Sequence, residues 1–175
     1  MKIRFCGVGG QGIVRSSYIL GYAAMIDGYR VLQTHSYGSA YRGMLSKSDV
    51  IISSTPIYEL EFTYPDVFIC LSERAYNVYK ESIHPELKLF VDSDLVKVDT
   101  PLNSMYSLEA STLSYERFGD RIYANMILLG YMVSIVKPVS RESVEESINR
   151  NFPRNTSRVN LEAFQLGYNM GLNTE

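Results

Sequence analysis

The sequence predicts a three-layer α/β/α fold, Rossmann-like, with a mostly parallel sheet of five or more strands and a helix-rich C-terminal half. Three observations predict it. Short runs of β-branched and aromatic residues alternate with stretches of helical spacing through the first half of the chain. Those runs are apolar through their middles and bounded by charges, the pattern of strands buried on both faces of a sheet. A glycine-rich turn, Gly7-Val8-Gly9-Gly10-Gln11-Gly12, joins the first strand directly to the first helix.

Ile3 to Gly7 reads as the first strand, and Ile13 to Ile26 as a helix with Ile13, Leu20 and Ala24 at helical spacing, stopped by Asp27-Gly28. Arg30 to Thr34 is a second strand. Ser36 to Ser46 is small, polar and glycine-punctuated, hence a long loop, followed by strands at Asp49 to Ser53 and Asp66 to Leu71. Tyr76, Tyr79 and Ile83 lie three and four apart in an amphipathic helix over Glu73 to Ile83, and Lys88 to Asp92 is a fifth strand. Helices are expected at Leu108 to Phe118, Arg121 to Val136, Arg141 to Asn151 and Val159 to Met170. Ser140 is placed to cap the third of these, with acidic residues early in the helix as the macrodipole favours. Gly167, with Ala163 and Gly171 four residues to either side, is expected to pack the last helix closely on the sheet.

At 175 residues the chain suits one domain, 1–175, with a core of its own. Its net charge of −2 and scattered basic residues give no face suited to nucleic acid or an anionic membrane. No apolar run reaches membrane-spanning length, and Met1 to Phe5 lacks the apolar stretch of a signal peptide, so a cytoplasmic protein is expected. Two cysteines, Cys6 and Cys70, are too few for a four-thiolate metal or iron–sulfur site, and both fall inside apolar strands as buried, reduced residues. The 14 tyrosines, with no tryptophan, point to interfaces. Tyr37 and Tyr41, and several of Tyr58, Tyr64, Tyr76 and Tyr79, are expected to be exposed.

Gly7, Gly9, Gly10, Gln11 and Gly12 form the first candidate site. Glycines permit a tight turn and close backbone approach, and a helix start offers unpaired N–H groups to an anion. Arg15, unfavourable there with respect to the helix dipole, faces either such an anion or solvent. A dinucleotide site would also need Asp or Glu at the end of the second strand, where Gln33-Thr34-His35 stands instead. Ser36, Tyr37, Gly38, Arg42 and Gly43 form the second candidate, on a loop expected at the same carboxyl-end edge.

These two blocks carry a resemblance. Gly7 to Gly12 resembles the G-x-G-G-Q-G signature of the gamma subunit of 2-oxoacid:ferredoxin oxidoreductases. Ser36-Tyr37-Gly38 with Arg42-Gly43 is similar to its S-Y-G…R-G-G block, in the form seen in 2-oxoglutarate-type rather than pyruvate-type subunits. Ser48 to Ser53, Pro56-Ile57, Tyr64-Pro65-Asp66, Asn125-Met126 and Leu129-Gly130 also match, and Met44 departs from a usual glycine. The resemblance implies a part in oxidative decarboxylation, in which a 2-oxoacid and coenzyme A give acyl-CoA, carbon dioxide and reduced ferredoxin. It implies thiamine diphosphate, magnesium and iron–sulfur clusters on partner alpha, beta or delta subunits, with coenzyme A as co-substrate and ferredoxin met through the complex. The isolated chain is open to pairing with a copy of itself. The alternative is a stand-alone nucleotide-binding module.

The remaining polar residues have two readings each. His35 reads as a ligand contact or a backbone-bonded loop residue. Asp92-Ser93-Asp94 is a metal site or a turn with capping duty, the latter being the commoner use of such residues. Asn125, on an apolar helix, either ties that helix to a loop or orients the glycine loop. Tyr115 to Phe118 reads as a solvated face or an interface rim.

Overall fold

A computed structural model describes residues 1–37, 44–99, 102 and 104–174. The strands are β1 (Lys2–Val8), β2 (Arg30–Tyr37), β3 (Leu45–Ser53), β4 (Val67–Cys70), β5 (Lys88–Asp92) and β6 (Met105–Leu108). The helices are α1 (Ile13–Ile26), α2 (Glu73–Tyr79), α3 (Ala110–Phe118), α4 (Ala124–Val136), α5 (Arg141–Asn151) and α6 (Arg154–Leu172). Short 3₁₀ turns, Lys80–Ser82 and Arg121–Tyr123, follow α2 and precede α4.

The strands form one sheet in the order β2-β3-β1-β4-β5-β6. β1, β4, β5 and β6 are parallel neighbours, whereas β3 runs antiparallel to both β2 and β1. The expected mostly parallel sheet is therefore present, with one reversed strand. The cause is chain length, because segment 38–44 is too short for a parallel crossover, which takes a dozen or more residues. The expected loop over Ser36 to Ser46 is shorter at both ends, since Tyr37 pairs with Ser46 and Ser36 with Lys47 in the ladder. Strand β6 has no counterpart in the sequence reading.

Strand alternation divides the core in two. Ile3, Phe5, Val50, Ile52, Val67, Ile69 and Phe90 pack with α1, α4, α5 and α6 on one face. Cys6, Phe68, Cys70, Leu89 and Val91 pack with Ala75 and Tyr76 of α2 on the other. Gly167 packs against α4 rather than on the sheet: a Cβ there would strike the Ile127 backbone, and one at Gly130 would strike that of Phe164. Small residues thus let two helices touch backbone to backbone. Ser140 caps α5 as expected, accepting from the Ser143 N–H at 3.2 Å.

Of the tyrosines expected to be exposed, Tyr58 and Tyr64 are, Tyr79 is half-buried, and Tyr76 is wholly buried beneath α2. The spacing that puts Tyr76 on a helix also aims it at the sheet. Arg4 is buried as well. Its guanidinium makes two 2.8 Å bonds to Asp49, its partner across β1 and β3, and donates to the Phe62 carbonyl at 2.9 Å. A buried cation is tolerated because every face of its fork has an acceptor.

Candidate functional site

The carboxyl ends of β1, β4 and β5 share one edge of the sheet, and the glycine loop closes over it. Gly10 and Gly12 have φ of 100° and 71°, a backbone region that disfavours any residue with a Cβ. Gly12 lies at the N-cap of α1. Gln11 uses its whole amide as a brace: its Oε1 accepts from the Val8 N–H at 2.8 Å, and its Nε2 donates to the Leu71 carbonyl, just past β4, at 2.6 Å. The Gly9 N–H donates to the Met44 carbonyl at 2.8 Å and the Gln11 N–H to that of Val8 at 3.2 Å. Asn125, in the first turn of α4 and 7 % exposed, donates to the Gly12 carbonyl at 3.2 Å. It therefore meets both of its readings at once, tying its helix to the glycine loop and fixing the orientation of that loop.

Beside the loop is a cavity of about 420 Å³. Gly10, Gln11, Leu71, Leu95, Ser111, Arg121 and Asn125 are among the residues that line it. It sits where the chain departs to opposite sides of β1, the switch point at which open α/β sheets take ligands. Asp92 is buried at the end of β5, and its Oδ2 accepts the Ser111 hydroxyl at 2.6 Å. Burial pushes the Asp92 carboxyl up, against the opposing hydrogen bonds from Ser111. Asp94 accepts from the Thr112 N–H at 2.7 Å. Asp92 and Asp94 therefore do turn and capping work at the start of α3. Among the described residues, no group of three or more His, Cys, Asp or Glu is placed to hold a metal ion.

The other sequence candidates fall as follows. Gly7 is the penultimate residue of β1, within the ladder and paired with Ser46. Ser36 lies exposed on β2, and Tyr37 is the last residue of the same strand. Gly38, Tyr41, Arg42 and Gly43 lie outside the described residues. Arg15 faces neither an anion nor open solvent alone: its guanidinium lies 5.3 Å over the Phe152 ring and donates to the Asn151 carbonyl at the end of α5. A carbonyl at a helix C-terminus is a natural partner for a cation. His35 is an exposed strand residue of β2, not a loop residue. His84 donates to the Pro65 carbonyl at 2.8 Å. Cys6 and Cys70 are buried free thiols, 3.2 Å apart across β1 and β4, and burial pushes the Cys6 thiol well up. Sequence reasoning gave no role to Ser111, Leu95 or Arg121, which reach the cavity only through tertiary folding.

A glycine loop at the carboxyl edge of a mostly parallel sheet defines an α/β protein of the Rossmann-like class. The dinucleotide version is disfavoured further by the strand order, because β3 separates the end of β2 from β1. Residues 2–170 match the pyruvate ferredoxin/flavodoxin oxidoreductase family, and the chain belongs to that family. It is 39% identical to the 2-oxoglutarate synthase subunit KorC of Methanocaldococcus jannaschii, over 95% of this chain and 91% of the relative. The structure of a keto/oxoacid ferredoxin oxidoreductase gamma subunit from Geobacter sulfurreducens superposes with a TM-score of 0.86 at 33% identity, covering 99% of each chain. The same fold, at a TM-score of 0.89 and 23% identity, makes up 31% of a longer chain in a 2-oxoglutarate:ferredoxin oxidoreductase from Magnetococcus marinus. That structure was solved with 2-oxoglutarate, coenzyme A and succinyl-CoA bound, and its chain is matched over 100% of this one.

Proposed function

We propose that this chain is the gamma subunit of a 2-oxoglutarate:ferredoxin oxidoreductase, acting as one gamma-type unit over residues 1–175. The complex converts 2-oxoglutarate and coenzyme A to succinyl-CoA and carbon dioxide, passing the electrons to ferredoxin. The observation that carries this reading is the likeness to the Methanocaldococcus subunit along nearly the full length of both chains.

Alpha and beta subunits, with delta where present, hold thiamine diphosphate, magnesium and the iron–sulfur clusters. The chemistry of this chain supports that division, since a sequence with two cysteines falls short of a cluster. No helix among the described residues is long and apolar enough to cross a membrane, which accords with a cytoplasmic complex.

The glycine loop, Gly7 to Gly12, and the cavity beside it form one wall of the coenzyme A cleft. Ser36, Tyr37, Gly38, Arg42 and Gly43 are assigned to the same cleft on the resemblance of their sequence block. The contribution of the chain is to bind and orient: Gln11 and Asn125 hold the loop rigid, so that a thiol acceptor meets a prearranged surface rather than one ordered at each encounter.

Co-purification from the source tests the assignment. Partner chains carrying thiamine and clusters, and a complex that reduces ferredoxin only with 2-oxoglutarate and coenzyme A together, are the expected result. A lone colourless chain without partners would overturn it.

A further inference from the structure

We infer that Arg121 selects for the phosphate-bearing end of the ligand at the switch-point cavity. The inference rests on the reading that this cavity takes coenzyme A.

The first reason is the supply of positive charge. An anion at a glycine loop normally meets backbone N–H groups, yet here the Gly9 N–H is taken by Met44 and the Gln11 N–H by Val8. The Gln11 side chain is spent on Val8 and Leu71. Arg15 is turned to the end of α5. The start of α1 offers an anion only partial charge, and Arg121 is the only full cation among the described residues lining the cavity.

The second reason is how Arg121 is held. Its guanidinium lies 6.0 Å over the ring of Tyr115 on α3. A contact with a ring face spends none of the guanidinium N–H groups, which stay available to an anion. Arg4, Arg141, Arg150 and Arg158 each pair with a carboxylate. Among the described residues Arg121 makes no ion pair. Its neighbour Asp120 also lines the cavity, but directs its carboxylate to the Ile122 N–H at 3.0 Å, capping the 3₁₀ turn that carries Arg121.

The third reason is the shape of the charge. With the Asp120 carboxylate lining the same cavity, it is not a general sink for anions. One cationic fork together with the apolar side chains of Leu71, Leu95 and Ala124 in the same cavity suits a molecule with phosphate at one end and a thin neutral arm at the other. Coenzyme A has that build, and pantetheine is its neutral arm alone.

The test uses the assembled oxidoreductase carrying Arg121→Ala, Arg121→Lys or Ile122→Trp, with coenzyme A and pantetheine compared as thiol acceptors. Loss of a charge-assisted fork should raise KM for coenzyme A about tenfold or more in Arg121→Ala, with kcat little changed. KM for pantetheine should stay level, and Arg121→Lys should recover part of the loss. An unchanged KM for coenzyme A, or an equal rise for both thiols, would overturn the assignment of Arg121. Ile122→Trp, which crowds the same cavity, separates that outcome from failure of the wider reading. If it raises KM for both acceptors while Arg121→Ala does not, the cavity stands and Arg121 falls. If neither variant moves either constant, the cavity reading falls as well.

Discussion

The Gly9 N–H donates to the Met44 carbonyl at 2.8 Å, which ties the glycine loop after β1 to the residue that leads into β3. Met44 stands where the resembling subunits have glycine, yet the bond uses only its backbone. Close approach of the two segments is therefore compatible with the side chain present. The same bond takes one donor away from any bound anion, so the loop serves as a braced wall more than as an open nest of N–H groups.

Gln11 is the second brace. Its amide replaces a ladder bond between the ends of β1 and β4, accepting from Val8 and donating to Leu71. Gln11→Ala should cost about 2 kcal/mol, near 1 kcal/mol for each net hydrogen bond. In a chain of this size that lowers Tm by about 4–8 °C. Gln11→Glu sets a carboxylate against the Leu71 carbonyl, so at pH 7 it should be at least as unstable as Gln11→Ala and recover near pH 4, where a protonated carboxyl can donate. Thermal unfolding followed by circular dichroism at the two pH values reads this. Equal stability of all three proteins would mean that the amide is not a brace.

Gly12 and Asn125 should behave as a coupled pair. At φ of 71° an alanine at position 12 is strained by about 1–2 kcal/mol, and its Cβ would also run into the Asn125 amide nitrogen. Gly12→Ala is expected to cost about 2–4 kcal/mol. Asn125→Ala removes both the obstacle and the bond to the Gly12 carbonyl. The double variant should then be more stable than the sum of the single losses by about 1 kcal/mol. Urea unfolding of the four proteins measures the coupling, and strict additivity would show that the two residues do not touch.

Local features were legible in the sequence to the extent that their partners are local. The glycine loop is announced by its own spacing, and the Ser140 cap by the polar-then-acidic start of α5. The direction of β3 was obscured because its first residues, Leu45 to Lys47, are mixed in polarity and merge into a loop-like stretch. Strand β6 hid because it has only four residues at a sheet edge, of which Leu108 alone is buried, too short a stretch for alternation to be read. Arg15 was judged against the dipole of its own helix, whereas its partner, Asn151, closes another helix far along the chain. The cavity escaped for the same reason: Gly10, Leu71, Ser111 and Arg121 come from four separate elements, and only the parallel sheet gathers them at one edge.

Asp27 should give the chain a distinct acid dependence. It closes α1 and anchors α5, accepting from the Ser140 N–H at 2.6 Å and the Ser140 hydroxyl at 2.8 Å, with a further bond from the Ser143 hydroxyl. Partial burial pushes its carboxyl up, but the bonds from Ser143 and Ser140 outweigh that and hold it below the ordinary range. A carboxylate with a depressed native pKa stabilises the fold above its unfolded value of about 3.9, and this is lost as pH falls through that value toward the native one. Asp27→Asn should therefore cost about 1–2 kcal/mol at pH 7, a figure kept low because the bonds are partly solvated. The gap between the two proteins should narrow below about pH 4 and close once both carry a neutral group. Ser143→Ala should shrink the gap at pH 7, since it removes one of the donors that depress the carboxyl. Chemical denaturation of the parent and Asp27→Asn chains from pH 7 to pH 3 decides it: a gap that stays constant across the range would show that the charge of Asp27 does not hold α1 to α5.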